Sequence, residues 1–134
     1  LPHAHLVLFL HPNSRLRTSD DIEKFISAEI PDKELDAYLY EVVSDVMIHG
    51  PCGVTHKDSV GMKDGMCSKF FPKQFVNNTS VDDAGYPVYR RRPDGRVVHK
   101  IGFDCDNRYI ISYNRVLSLC YRAHINVEWC NQTR

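Results

Sequence analysis

Apolar and polar positions alternate along this chain in a few distinct rhythms. Leu6, Val7, Leu8, Phe9 and Leu10 form an unbroken apolar run, too short to span a bilayer. It reads as a buried central strand, a pattern that a buried helical segment shares. Further on, Ile22, Phe25, Ile26 and Ile30 recur at helical spacing behind Thr18, an N-cap residue with Asp21 as a capping-box partner. Pro31 stops that helix. Leu35, Leu39, Val42, Val43, Val46 and Met47 then mark the inward stripe of a second helix, ended by Gly50-Pro51. Residues 50–75 lose all periodicity, and a loop of that length in a small domain is functional or metal-stapled. Residues 77–85 are polar and expected to be a mobile connection. Residues 86–101 read as a hairpin around Arg92-Pro93-Asp94-Gly95, with arginines on its exposed side. Residues 108–113 read as a strand, and 115–122 as a short helix capped by Asn114. In a closing strand over 124–130, His124, Asn126 and Glu128 share one face and Ile125, Val127 and Trp129 the other.

The 134 residues suit one domain spanning 1–134. The expected fold class is α+β: an antiparallel sheet, with the N-terminal strand at its centre, packed by the two N-terminal helices. No stretch reads as a signal peptide or membrane span. The chain starts inside an apolar run and reads as a piece of a longer polypeptide.

Charge changes the picture. The formal net charge is zero. Nevertheless residues 18–47 hold nine acids against two bases, and residues 63–100 hold eight bases against four acids. A chain split in this way can present a basic face to phosphate. The cations expected to do so are Arg90, Arg91, Arg92, Arg96 and Lys100. Five cysteines at irregular spacing argue against a secreted disulfide framework. The Asn-x-Thr/Ser sequons at Asn77, Asn78 and Asn131 then carry no meaning.

Two places carry candidate metal chemistry. His3 and His5 leave the same face of a stiff strand, with small Ala4 turned into the other layer, and such a pair can grip one divalent cation. In the irregular loop, His49, Cys52, His56 and Cys67 are of the right types for zinc. Their number and spacing are poor for a four-ligand site, so zinc in the 49–67 loop is not expected.

Several short stretches together resemble the Helitron helicase-like domain, found in rolling-circle DNA transposons. They are Leu1-Pro2-His3-Ala4-His5-Leu6, Met47-Ile48-His49-Gly50-Pro51-Cys52-Gly53, Met62-Lys63-Asp64-Gly65, Cys67-Ser68-Lys69, Phe71-Pro72-Lys73 and Gly85-Tyr86-Pro87-Val88-Tyr89-Arg90-Arg91-Arg92. Asp106-Asn107-Arg108-Tyr109, Tyr113-Asn114, Ala123-His124-Ile125-Asn126-Val127-Glu128 and Cys130-Asn131-Gln132 continue the similarity to the end of the chain. Gly61 and Cys120 depart from it, standing where the family pattern carries a cysteine and a lysine.

The resemblance implies part of a replication-initiator endonuclease fold that nicks and joins single-stranded DNA. It implies that His3 and His5 hold Mg²⁺ or Mn²⁺, which would polarise the scissile phosphate. Hard cations favour an oxygen donor as third ligand. Glu128, Asn126 or a residue upstream of the chain would supply it. The implied nucleophile is a tyrosine beyond Cys130-Asn131-Gln132, so none of the seven tyrosines here takes a catalytic role. A fused ATP-dependent helicase and a nuclear location are implied for the parent protein. Two other readings stay open: a non-catalytic single-stranded DNA-binding module, and an unrelated metal hydrolase in which His11 joins the histidine pair.

Overall fold

The computed structural model describes residues 4–50, 62–63, 66–100 and 102–131. They form a mixed α+β arrangement of three α-helices and three small two-stranded antiparallel sheets. Helix α1 is Ser19–Phe25, α2 is Ala37–Val46 and α3 is Arg115–Tyr121. Strands β1 (Met62–Lys63) and β2 (Met66–Cys67) pair, as do β3 (Ser80–Val81) with β4 (Pro87–Val88) and β5 (Val98–Lys100) with β6 (Phe103–Cys105). No helix among the described residues is long and apolar enough to cross a membrane.

Helix α1 begins as expected. Thr18 accepts from the Asp21 N–H and Asp21 accepts from the Thr18 N–H, both at 3.1 Å, closing a capping box. The helix ends at Phe25, with five residues between it and Pro31. Backbone pairing wins there: Ser27 and Tyr113 exchange two hydrogen bonds of 2.8 Å, which pulls 26–30 into extended chain. Helix α2 starts after Leu35, which is exposed. Asp32 Oδ1 accepts from the backbone of Glu34 and Leu35, so that stretch forms its own turn.

Residues 110–113 are the crossroads of the molecule. On one side Ser27 bonds Tyr113, while His49 N–H donates to Tyr109 O at 2.8 Å and Ile111 N–H to Met47 O at 2.9 Å. On the other side Val127 N–H donates to Ser112 O at 3.0 Å. Two apolar clusters flank this ribbon. One joins Ile30, Leu39, Val43, Met47, Val98, Ile110 and Tyr113. The other joins Ile22, Ile26, Ala28 and Tyr89, with Leu16, Val127 and Trp129 against it. The alternation expected over 124–130 holds, odd positions half-buried and even positions exposed, but the segment forms no strand. The strand expected over 108–113 gives way to a 3-10 turn at Asn107–Tyr109 with isolated bridges at Ile110 and Tyr113.

Three further expectations need correction. The first is the central strand. Residues 4–10 belong to no strand, and Leu6, Val7, Leu8 and Phe9 are 74–88% exposed. An apolar run becomes a strand only by pairing, and among the described residues none pairs with it. The second is the 86–101 hairpin. Its halves pair elsewhere, β4 with β3 and β5 with β6. Asp82 Oδ1 accepts from the Ala84 and Tyr86 N–H groups, and with Gly85 at φ +86° it builds a turn that returns the chain from β3 to β4. Third, the stretch 77–85 is part of that unit, with Thr79 buried and accepting from the Arg90 N–H at 3.0 Å.

Asn107 holds the interior polar groups together. It is buried, accepts from Ile30 N–H at 2.7 Å and donates to Arg92 O at 2.8 Å. Replacing Asn107 with Ala orphans two backbone groups and is expected to destabilise the fold by about 2–4 kcal/mol. Urea unfolding checks this through a lower midpoint at unchanged slope.

Candidate functional site

Of the proposed metal-site residues, Glu128 is held by two described hydroxyl groups. It projects from the exposed face of the closing segment. Tyr89 O–H donates to its Oε2 at 2.7 Å and Ser112 O–H to its Oε1 at 2.9 Å. Ser112 Oγ also lies 2.9 Å from Asn126 Oδ1. A hydroxyl carries one proton, so both contacts are satisfied when the Asn126 amide turns to donate. Glu128 and Asn126, the two third-ligand candidates on this chain, are thus tied to one serine of the crossroads ribbon.

Tyr89 is the less obvious member. It is buried at the end of a conventional apolar cluster, and its hydroxyl also accepts from Trp129 N–H at 2.8 Å. Burial, then the negative charge of Glu128, drives its phenol pKa upward. It stays protonated and works as a donor. Tyr113 behaves alike: burial first, then Glu29 and Asp36, pushes its phenol up, and it donates to Glu29 O at 2.8 Å. Neither phenol is suited to be a nucleophile.

His3 lies outside the described residues. His5 sits on the exposed N-terminal segment. Among the described residues no three His, Cys, Asp or Glu side chains converge into a metal-binding group. In the loop, His49 Nε2 and Cys67 Sγ approach to 3.4 Å, and Phe71 stacks on the His49 ring at 4.3 Å. Burial, then the charges of Lys73 and Lys69, lowers the His49 pKa and favours the neutral ring. Cys52 and His56 lie outside the described residues. A shallow groove lined by Ile30, Lys33, Tyr40 and Arg96 shares no residue with the Glu128 cluster.

The arginines expected to meet DNA have internal work. Arg91 is only 5% exposed, and its Nη1 donates to Asn107 O at 2.7 Å and Ile110 O at 2.6 Å. Burial lowers its pKa to about 10, which leaves it charged at neutral pH. Arg92 grips Glu29 with two side-chain bonds of 2.9 Å, and Arg90 lies 3.3 Å from the same carboxylate and 3.5 Å from Glu23. Arg96 reaches Ile30 O and Asp32, and Lys100 donates to Asp45 O at 2.6 Å. Arg91 therefore cannot meet phosphate without leaving the interior, and the other four have protein acceptors. The basic run and the acidic run read from the sequence largely answer each other.

Sequence reasoning passed over Tyr89, Ser112 and Lys73. Ser112 carried a signal in hindsight: a polar residue inside a ribbon of Ile and Tyr needs partners. Lys73 is half-buried. Burial, then Arg91, lowers its pKa, while Glu128 opposes the shift, so the ammonium and that carboxylate feel each other.

No known family model matches the chain, and no curated protein does so.

Glu29 gives a measurable consequence. Burial alone would raise its pKa, but hydrogen bonds from Arg92 and the charges of Arg90 and Arg92 outweigh that and hold it below its ordinary value. A depressed carboxylate contributes stability above its unfolded-state pKa and loses it as pH falls through the folded-state value. Wild-type stability is therefore expected to fall as pH drops through and below the ordinary carboxylate range. Glu29→Gln should cost about 1.5–3 kcal/mol at neutral pH and flatten that acid limb in thermal melts.

Proposed function

We propose that this chain is a metal-dependent domain that nicks and joins single-stranded DNA, of the rolling-circle replication-initiator type its motifs resemble. The observation that carries the reading is the fixed carboxylate of Glu128. Two hydroxyl donors hold it, one per oxygen, and lone pairs remain on both. Oxygen donors of this kind suit Mg²⁺ or Mn²⁺, and His3 and His5 would complete the set. Bound there, the cation would act as a Lewis acid on the scissile phosphate.

The backbone supports the same reading. Val127 points its N–H at Ser112, so Asn126 and Glu128 direct theirs to the opposite edge of the segment. Pairing of residues 3–8 along that edge would bring the two imidazoles beside the carboxylate. It would also cover side chains that now face water: burying Leu6, Val7, Leu8 and Phe9 is worth about 1.5–3 kcal/mol each. The nucleophile in this proposal is a tyrosine of the parent protein following Cys130-Asn131-Gln132. Its phenolate would attack phosphorus, form the P–O bond of a 5′-phosphotyrosine and release the 3′-hydroxyl. A fused helicase and a nuclear location belong to the same proposal.

A second reading is a module that binds single-stranded DNA without cutting it. The exposed N-terminal segment, paired with no strand among the described residues, favours it. Calorimetric titration with Mn²⁺ separates the two. The nuclease reading expects a saturable heat with wild type and at least tenfold weaker binding for His3→Ala, His5→Ala or Glu128→Gln. A wild-type titration without heat leaves the binding module.

A further inference from the structure

The turn after β2 carries a set of side chains that neither the core nor the Glu128 cluster explains. Residues 66–75 contain three phenylalanines and two lysines and no acid. Phe70 closes the turn, its N–H donating to Cys67 O at 2.9 Å, and its side chain is 69% exposed. Its φ is +60°, in the left-handed region that a bulky residue adopts only at a cost. A polar residue or glycine would fill this turn more cheaply. Phe70 therefore holds a strained backbone and an exposed ring at once.

Its neighbours are cationic. Lys73 Nζ lies 5.9 Å from the Phe70 ring centre and 4.8 Å from that of Phe71. Lys73 N–H donates to Arg108 O at 2.9 Å, which joins this turn to residues 106–109. The Arg108 guanidinium, oriented by two-pronged bonding to Asp106, lies 4.9 Å over the ring of half-exposed Phe75. Lys69 is exposed and has no acid partner among the described residues. Lys73 Nζ also donates to Lys69 O at 3.0 Å, one acceptor that leaves two of its three N–H donors for a ligand.

We propose that Phe70 and Phe75, flanked by Lys69, Lys73 and Arg108, form a stacking platform for single-stranded DNA. Exposed rings offer π-faces to unpaired bases, and ammonium groups beside them meet the phosphates between those bases. A duplex keeps its bases stacked inside and has nothing to offer the rings. The proposal rests on the single-stranded DNA part of the functional reading and is independent of its metal.

The test is fluorescence anisotropy with a labelled oligo-dT, in EDTA, on the full chain. Wild type is expected to bind oligo-dT more tightly than a duplex of equal length. Phe70→Asn removes the ring and suits the left-handed turn, so it should weaken binding about tenfold with no loss in melting temperature. Lys69→Gln should shallow the slope of log K against log salt by about 0.7. Absence of binding by wild type, equal affinity for duplex, or variants that bind like wild type would each overturn the platform. Failure of the Mn²⁺ titration alone leaves these outcomes untouched, so the two proposals fail separately.

Discussion

The fold depends on a single polar knot. The Arg91 guanidinium is sunk between the Asn107 and Ile110 carbonyls, and Asn107 in turn bonds Ile30 N–H and Arg92 O. Three stretches distant in sequence, around 30, 91–92 and 107–110, meet there without a long strand among them. A charged group in the interior is tolerated only when its donors are filled, and here main-chain oxygens fill them. The secondary structure is short because this knot, with the ribbon 110–113, does the joining that longer ladders do in other small domains.

The same knot engages the arginine run that charge counting offers as a binding face. Charge counting sees eight bases against four acids over 63–100, but cannot see that Glu23, Glu29 and Asp32, from the acidic run, stand opposite them. Exposure and pairing are tertiary facts. The shorter segment around Phe70 differs, because aromatic residues interleave with lysines there.

Local signals were readable wherever local chemistry decides the outcome. Thr18 and Asp21 form their capping box, Asn114 caps α3 by accepting from Leu117 N–H, and the in-out alternation of 124–130 is kept. Reading failed where two distant stretches compete. Helix α1 stops early because Ser27 finds Tyr113, and the 86–101 hairpin divides because Asp82 builds a tighter turn with Gly85. Of the candidate site, alternation places Glu128 and Asn126 on one exposed face, and only the resemblance offers them as ligands. The two holders of Glu128 were not legible, since Tyr89 and Ser112 reach it from 39 and 16 residues away in sequence.

Trp129 follows Glu128 directly and is the chain's single tryptophan. Its indole packs against the Ile22 cluster and donates to Leu16 O at 3.3 Å, while its backbone N–H donates to the same Tyr89 hydroxyl that holds the carboxylate. Any ligand that draws Glu128 away from Tyr89 disturbs the anchorage of the adjacent indole. The domain thus contains its own optical probe: ultraviolet emission from one fluorophore reports on that carboxylate without a label.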